Sequence, residues 1–283
     1  MRVLVTGALG KVGRQVVAEL GERHELVLFD RSVPSTPGPH RAVRGDATDL
    51  GQVYGVMAGC EAVVHLAAIA GPAHDPPEVV FRTNVMGTFN VAEAAAVLGV
   101  RRVVYASSGS ALGFAYMHRP LVPEYMPIDE AHPLQPQEPY ALSKKLGEEI
   151  MATLQRRTGI STICIRPPTV IAPEEYAERV PRALDNPRRS LFAYVDVRDL
   201  AVGIRLALES DLAGHETFFV AADDALAREP LATLFPRFHP GTERAAAPLT
   251  GPQSPLSSAK AKRLLGYQPQ HSWRDHVPAE ARP

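Results

Sequence analysis

The chain has few of the residues that mark secreted, membrane-spanning or nucleic-acid-binding proteins. Only two of its 283 residues are cysteines, Cys60 and Cys164, and their apolar surroundings predict buried free thiols in a reducing compartment. The formal net charge of -1 offers no basic face for nucleic acid. The apolar runs are too short to span a bilayer, and the first strand follows Met1 without room for a secretory signal. We therefore expect a cytoplasmic protein without a membrane or nucleic-acid partner.

Apolar, β-branched runs alternate with amphipathic helical segments through the first two-thirds of the chain. The predicted strands are 2–6, 25–30, 41–46, 61–68, 101–108 and 161–166, and the predicted helices are 11–23, 49–60, about 78–98 and 138–157. This alternation predicts an α/β fold with a doubly wound parallel sheet covered on both faces. Residues 112–139 carry five prolines before Pro139 opens a helix, and we expect a long functional loop there.

Three glycines follow the first predicted strand in the stretch "VTGALGKVG". Gly7 permits a tight turn, Gly10 lets the backbone approach a pyrophosphate, and Gly13 allows a helix to pack closely on the strand. The N-terminus of that helix offers N–H groups and a positive dipole end to phosphates. Asp30 ends the second strand, where a carboxylate binds ribose hydroxyls and repels a 2′-phosphate; otherwise it is an ordinary turn residue. The pattern predicts NAD, with NADP second because Arg31 could accommodate that phosphate.

A tyrosine and a lysine stand one helical turn apart in the stretch "EPYALSKKLGEE". Tyr140 and Lys144 share a helix face, so their polar ends can reach one point in space. A phenol titrates near a pH of about 10, and it serves as a base at neutral pH only if a nearby positive charge stabilises the phenolate. The pair predicts an acid/base group; the alternative is a helix N-terminal tyrosine beside a solvated lysine.

Together these motifs resemble the extended short-chain dehydrogenase/reductases, which include sugar epimerases, dehydratases and dehydrogenases. The resemblance covers nearly the whole chain, through "GDATD", "HLAA", "NVMGTFNVAEAA", "YASS", "YALSK" and "SSAKAKRLLGYQP". It implies that Tyr140 exchanges a proton with a substrate hydroxyl while hydride moves between substrate and NAD. Lys144 would tune that tyrosine and bind the nicotinamide ribose. Ser108 would orient the substrate oxygen, ahead of Ser107 and Ser110.

The alternation becomes irregular beyond Pro167, which predicts a domain division, and the resemblance implies a set of site residues. Residues 1–166 would form a Rossmann-type dinucleotide-binding domain and 167–283 mainly a substrate-binding lobe, with 196–222 returning to the Rossmann core. Besides Tyr140 and Lys144, the expected cofactor-binding residues are Gly7, Leu9, Gly10, Lys11, Val12, Gly13, Asp30, Arg31, Asp46, Ala47, Leu66, Ala67, Ala68, Asn84, Pro167 and Thr169. The expected substrate residues are Ser107, Gly109, Ser110 and Arg166.

Some of these assignments have alternatives. Arg166 would meet a substrate carboxylate, or equally pair elsewhere as a strand-end arginine. His65 is expected in the core. No cluster has the spacing of metal ligands, so no metal is predicted. A homodimer through the helices near 78–98 and 138–157 would resemble the dimers of the family.

Two positions depart from the nucleotide-sugar enzymes of the family. Thr169 takes the place of an asparagine that helps to hold the sugar nucleotide, and Phe192 takes the place of an arginine that grips the diphosphate. Losing such a clamp removes on the order of 1.5–3 kcal/mol per hydrogen bond, unless Arg182, Arg188 or Arg189 compensates. We therefore expect a smaller substrate without a nucleotide diphosphate.

Uronate dehydrogenases of the family look similar at "YASSGSALGF", although they carry an asparagine where this chain has Gly109. The sequence thus predicts an NAD-dependent oxidoreductase acting on a hydroxyl or carbonyl of a small sugar, polyol or sugar acid. The second hypothesis is a nucleotide-sugar epimerase or dehydratase with transient hydride transfer to bound NAD. A third is a dinucleotide-binding sensor without catalysis.

Overall fold

A computed structural model describes residues 1–34, 36, 38–73, 75–185 and 191–276, apart from the side chains of 182–185. The strands in these ranges are β1 Arg2–Thr6, β2 Glu25–Asp30, β3 Arg41–Arg44, β4 Ala62–His65, β5 Arg102–Ala106, β6 Ser161–Arg166, β7 Thr169–Ile171, β8 Tyr194–Asp196 and β9 His215–Phe219. The α-helices there are α1 Lys11–Leu20, α2 Leu50–Met57, α3 Pro77–Leu98, α4 Pro139–Thr158, α5 Tyr176–Asp185, α6 Val197–Glu209, α7 Leu231–Phe238, α8 Glu243–Ala246 and α9 Ala259–Leu265.

Seven strands form one parallel sheet in the order β3-β2-β1-β4-β5-β6-β9. In the register of the sheet, Val5 of β1 lies between Leu28 of β2 and Val64 of β4. The strand order runs outward in both directions from β1 and β4, which places the topological switch point between these two strands. The predicted Rossmann-type doubly wound fold is confirmed.

Alternate residues of each central strand face opposite layers of helices, as the pleat of a strand requires. Val3 and Val5 of β1 belong to a buried cluster that also contains residues of α1, α6 and α9. Leu4 belongs to the cluster on the other face, together with residues of α2, α3 and α4. Both faces of the sheet are therefore covered, and the carboxyl edge of the strands is left for a site.

The second part of the chain also forms a small separate sheet and a further apolar cluster, which are together called the smaller lobe below. Strands β7 and β8 form a separate two-stranded parallel sheet, and α7 contributes to a third apolar cluster that includes Phe192, Phe219 and Phe235. Helix α6 and strand β9, which fall within 196–222, belong to the layers of the main sheet. None of the described helices combines the length and the apolarity that crossing a membrane requires.

Strand β4 ends earlier than the sequence pattern predicts. The predicted strand 61–68 stops at His65. The N–H of Leu66 still donates to the carbonyl oxygen of Thr6 at 3.1 Å, but the N–H of Ala67 turns to the side chain of Thr6. The N–H groups of Leu66 and Ala67 each donate a hydrogen bond of 3.2 Å to Oγ1 of Thr6. This turn carries residues 66–68 out of the sheet and along the edge where the strands end.

A glycine in α4 allows this helix to lie directly on β5. A Cβ atom at Gly147 would come within 2.2 Å of the hydroxyl oxygen of the buried Tyr105. We predict that Gly147→Ala lowers the free energy of unfolding by about 1–3 kcal/mol, the usual cost of overpacking a core. The measurement is unfolding in denaturant.

Gly55→Ala is the matched control, since Gly55 also lies inside a helix. A Cβ atom at this position would have no described atom within 4 Å beyond its own helix and chain neighbours. We expect Gly55→Ala to raise the free energy of unfolding by about 0.5–1 kcal/mol, because alanine is the better helix former. Equal effects of the two substitutions would contradict the close packing of α4 on β5.

Candidate active site

A cavity of about 870 Å³ runs along the carboxyl edge of the main sheet, from the glycine turn after β1 to the start of α4. Its walls include residues that follow β1, β2, β3, β4, β5 and β6. Open parallel sheets bind ligands at this edge, beside the switch point. The volume lies within the range of about 300–1,000 Å³ that ligand pockets occupy.

The glycine turn forms a cradle that side chains would fill. Gly7 has a φ of 68°, and a Cβ atom there would lie 2.7 Å from the backbone nitrogen of Ala67. At Gly13 a Cβ atom would lie 2.1 Å from the carbonyl oxygen of Gly7, so α1 packs directly on the turn. Within the described chain, no side chain caps the N-terminus of α1 and its first turn holds no acidic residue. The exposed N–H groups and the helix dipole fit the pyrophosphate of a dinucleotide.

Asp30 lies at the same end of the cavity, as expected. Its Oδ2 accepts a hydrogen bond of 2.9 Å from the backbone N–H of Leu9, which fixes the carboxylate beside the glycine turn. The neighbouring Arg31 lines the cavity but is largely exposed, with Nη2 3.6 Å from Oδ2 of Asp46. A carboxylate held in this way can accept hydrogen bonds from ribose hydroxyls. It repels a phosphate group that replaces one of these hydroxyls.

Lys11 bridges the cavity to the smaller lobe. Its Nζ donates a hydrogen bond of 2.9 Å to the carbonyl oxygen of Val170 and lies 2.9 Å from Oε2 of Glu175. Arg179 of α5 pairs with the other oxygen of Glu175 at 2.9 Å. Glu175 and Arg179 were not predicted as site residues, and a separation of 164 residues between Lys11 and Glu175 leaves no local signal for this pair.

Helix α4 begins at Pro139, and this start places Tyr140 in the wall of the cavity. Pro139 occupies the first turn, and the Glu138 carboxylate accepts hydrogen bonds of 2.6 and 2.7 Å from the N–H groups of Tyr140 and Ala141. Lys144, one turn later, donates from Nζ to the carbonyl oxygen of Ala106 at 2.7 Å.

The three predicted catalytic residues meet at one point in the cavity. Nζ of Lys144 lies 5.9 Å from the ring centre of Tyr140, and the Ser108 side chain is close enough to the Tyr140 hydroxyl to lower its pKa. All three side chains are buried and line the cavity. The arrangement can hold a substrate oxygen between two hydroxyls and can move a proton to or from it.

Burial acts on both titrating groups of this trio. It raises the pKa of Tyr140 to about 12, although the hydrogen bond with Ser108 lowers it. It lowers the pKa of Lys144 to about 8, although the Glu148 carboxylate opposes this. The sequence predicts a phenol that lysine makes more acidic, whereas the chain alone makes it less acidic. The physical reason is that desolvation outweighs the opposing effect of the Ser108 hydroxyl, while the Lys144 ammonium donates to the carbonyl oxygen of Ala106.

Three predicted site residues lie outside the wall of the cavity. The Oδ1 atom of Asp46 accepts hydrogen bonds of 2.9 Å from the N–H and the hydroxyl of Thr48. Burial acts to raise the pKa of Asp46, but these hydrogen bonds hold it below its usual value. The amide of Asn84 bonds both backbone groups of Ile69 and the hydroxyl of Ser143. It therefore supports the loop after β4 against α4, and its contact with the cofactor stays a prediction.

Arg166 is the third of these residues. Its Nε and Nη2 donate hydrogen bonds of 2.8 and 2.7 Å to the two carboxylate oxygens of Glu148. A buried guanidinium requires such a partner, and the pairing agrees with the alternative of a strand-end arginine bound within the protein. The substrate contact stays a prediction.

The remaining predicted residues line the cavity. They are Gly7, Leu9, Gly10, Lys11, Val12, Gly13, Asp30, Arg31, Ala47, Leu66, Ala67, Ala68, Ser107, Ser108, Gly109, Ser110, Tyr140, Lys144, Pro167 and Thr169. The proline-rich loop adds Leu112, Phe114, Ala115 and Tyr116 to the wall beside Tyr140, and the smaller lobe adds Leu191 and Leu256. The loop as a whole was expected to be functional, but nothing in the sequence pattern marks Leu191 or Leu256.

Two further positions clarify the chemistry. Phe192 lies in the apolar cluster of the lobe, with its ring centre 5.1 Å from that of Phe235, and it does not line the cavity. His65 is buried between the hydroxyls of Thr6 and Thr88, and burial together with the charge of Lys144 lowers its pKa to about 3. Arg188, Arg189 and the side chain of Arg182 lie outside the described residues.

The described residues contain no group of three or more His, Cys, Asp and Glu side chains arranged to hold a metal ion.

Comparison with known families adds a match over most of the chain. The model of the NAD dependent epimerase/dehydratase family matches residues 3–221. The chain belongs to this family. Membership confirms the predicted resemblance and the prediction of an NAD-dependent enzyme.

Relatives within the epimerase/dehydratase family differ in their named activities. The chain is 28% identical over 228 residues to a uronate dehydrogenase of Pseudomonas putida, covering 79% of this chain and 77% of the relative. It is 26% identical to a UDP-glucose 4-epimerase of Corynebacterium glutamicum, covering 96% of this chain and 92% of the relative. A short-chain dehydrogenase/reductase superfamily protein of Agrobacterium tumefaciens, solved with bound NAD, superposes with a TM-score of 0.75 at 27% identity, covering 96% of this chain and 94% of that one.

The position of Asp30 generates a prediction about cofactor choice. Asp30→Asn keeps an oxygen that can accept from Leu9 but removes the charge, so NAD should bind about tenfold or more weakly while NADP weakens less. The dissociation constants of the two dinucleotides, measured by calorimetry, test this expectation. Asp49→Asn, which changes a helix cap outside the cavity, is the control. An unchanged ratio of the two constants in Asp30→Asn would contradict the assignment of Asp30.

Proposed function

We propose that this protein is an NAD-dependent oxidoreductase of a small sugar, polyol or sugar acid. In this proposal a hydride moves between the nicotinamide and the substrate carbon that bears a hydroxyl or carbonyl. The observation that carries it is the meeting of Tyr140, Lys144 and Ser108 in the same cavity that begins at the glycine turn. The names of the dehydrogenase relatives support the same substrate class.

Each residue of the site has a separate role in the proposed reaction. NAD, when bound, supplies the acceptor for hydride and a positive charge near the phenol. The Ser108 hydroxyl orients the substrate oxygen, and the Tyr140 phenolate takes its proton in the direction of oxidation. The Lys144 ammonium stabilises that phenolate, and its hydrogen bond to Ala106 holds it beside the tyrosine. In the direction of reduction, Tyr140 returns the proton to the carbonyl oxygen.

A small substrate is supported by the position of Phe192. In the family pattern an arginine stands there to grip a nucleotide diphosphate, and here an aromatic ring packs inside the lobe. The wall near Tyr140 instead presents Leu112, Phe114 and Tyr116. A substrate that lacks a diphosphate requires no cationic clamp at that point.

An epimerase is the second candidate, and the bridge across the cavity favours it. The hydrogen bond and ion pair of Lys11 with Val170 and Glu175 tie the glycine-turn helix to the smaller lobe. Such a bridge would slow exchange of a bound dinucleotide, which suits an enzyme that removes and returns hydride in one turnover. The match to a UDP-glucose 4-epimerase along most of the chain points the same way.

A substrate screen separates the candidates. Purified protein is incubated with NAD or NADP and with aldoses, polyols, uronates and nucleotide sugars, while nicotinamide absorbance and the sugar products are followed. Net formation of NADH on a small substrate supports the dehydrogenase. Interconversion of sugars without NADH accumulation supports the epimerase. Tight NAD binding without turnover of any substrate would contradict both and leave the sensor.

The protein also presents a surface suited to self-association. Helices α3 and α4 pack side by side and expose the large apolar side chains of Met86, Phe89, Val97, Leu98 and Leu142. Exposed apolar side chains that gather on one surface mark association surfaces. From these exposed side chains we propose a homodimer through α3 and α4. The cytoplasmic location of the protein stays a prediction.

The role of Tyr140 yields a prediction for catalysis. Tyr140→Phe removes only the hydroxyl, so kcat should fall by about 10²–10⁴-fold, the usual contribution of a general acid or base. The affinity for NAD should change little, because the glycine turn is untouched. Steady-state kinetics and calorimetry measure the two quantities.

Tyr125→Phe is the matched control, since this substitution removes a hydroxyl that donates to Asp129 on the surface. It should leave kcat unchanged. A Tyr140→Phe enzyme with the kcat of the wild type would overturn the proposed function.

A further inference from the structure

Helix α4 carries a third ionisable group on the face that holds the proposed acid/base pair. Tyr140, Lys144 and Glu148 follow one another at intervals of four residues, so they share one stripe of the helix. Glu148 is buried, with a side chain only 9% exposed, although no step of the proposed reaction uses it. Burying a carboxylate is costly unless it is fully hydrogen-bonded.

The carboxylate of Glu148 is bound by two groups from neighbouring strands. Arg166 of β6 donates to both of its oxygens through Nε and Nη2, in a fork-like pair. The hydroxyl of Ser107, just past β5, donates to Oε1. Arg166 is fixed in turn by the Glu130 carbonyl at 3.3 Å and by the Phe219 ring, whose centre lies 5.5 Å from its guanidinium carbon.

Ser107 connects this pair to the reacting groups. The residue before it, Ala106, supplies the carbonyl that accepts the Lys144 hydrogen bond, and the residue after it, Ser108, is the proposed orienting hydroxyl. The hydrogen bond to Glu148 therefore anchors the backbone segment that places both groups. Buried ion pairs can often be replaced by apolar side chains without loss of stability. The position of this pair next to the reacting groups is therefore what indicates a role in the site.

We propose that Glu148, held by Arg166, is a positioning residue that anchors the end of β5 through Ser107 and keeps the Lys144 ammonium charged. This inference rests on the proposed function for its effect on turnover. Its effect on Lys144 itself does not, because the charge state of Lys144 is a property of the protein without substrate.

The groups around Lys144 single out Glu148. Tyr140 and Glu148 face the ammonium from α4, Tyr105 from β5, His65 from β4 and Cys164 from β6. Burial raises the pKa values of Tyr105 and Cys164 well above their usual values and lowers that of His65 to about 3. These three groups are therefore uncharged at neutral pH.

Glu148 is then the anion that acts on Lys144 among the described residues that face it. Burial lowers the pKa of Lys144 to about 8, and the Glu148 charge opposes that fall. Removal of the charge must lower this pKa further, so the ammonium is lost at a lower pH. The high-pH limit of any activity that requires the ammonium moves down with it.

The direct test is the titration of Lys144, followed by carbon NMR of the protein with labelled lysine and assigned with a Lys144→Met variant. In Glu148→Gln the pKa of Lys144 should fall by at least one unit, a tenfold change in the protonation equilibrium. Glu148→Asp, which keeps the charge, should titrate closer to the wild type. The control is Glu216→Gln, because Glu216 is a carboxylate of β9 that pairs with Lys260. This substitution should leave the pKa of Lys144 unchanged.

The second arm follows activity against pH. We expect kcat of Glu148→Gln to fall at least tenfold and its high-pH limit to move down, with little change in KM. If the Glu148→Gln protein does not fold, Ser107→Ala removes the anchor without leaving a charge unpaired, and kcat should fall while the affinity for NAD stays the same.

An unchanged titration of Lys144 in Glu148→Gln would overturn the inference, as would a Ser107→Ala enzyme with full kcat. If Lys144 shifts as expected but the wild type turns over no substrate, the proposed function fails and the electrostatic role of Glu148 stands.

Discussion

The site depends on a lysine ammonium that is kept in a buried position. Lys144 has almost no exposed surface, and burial alone favours its neutral form. The hydrogen bond to the Ala106 carbonyl and the negative charge of Glu148 oppose this tendency. The remaining features of the site, including the reach of Tyr140 and the placement of Ser108, follow from the way α4 is held against the end of β5.

The fold supplies that constraint through close approaches between elements. Gly147 lets α4 lie against Tyr105 of β5, and Asn84 connects α3, the loop after β4 and Ser143 of α4 through its amide. At the other end of the cavity, Gly13 lets α1 pack on the glycine turn. The glycine turn and the proposed proton-transfer group are thus placed by the same parallel sheet, and the cavity runs between them along its edge.

Local patterns in the sequence were enough to predict six of the seven strands of the main sheet, the glycine turn and the pair Tyr140 and Lys144, because each depends on residues a few positions apart. Contacts between distant segments were beyond such patterns. Lys11 pairs with Glu175, and Arg166 pairs with Glu148. The raised pKa of Tyr140 was also missed, since burial is a property of the folded chain and not of the spacing between two residues.

The central claim is that Tyr140 ionises near neutral pH only when a positive charge enters the cavity beside Lys144. In the protein alone, burial raises its pKa to about 12, so the phenol stays protonated at neutral pH. The most direct measurement is the ultraviolet difference absorbance of tyrosinate during pH titration, with and without oxidised NAD, in the wild type and in Tyr140→Phe. The account predicts that oxidised NAD lowers the onset of one tyrosine ionisation in the wild type and that Tyr140→Phe lacks this signal. The same titration curve with and without oxidised NAD would contradict it.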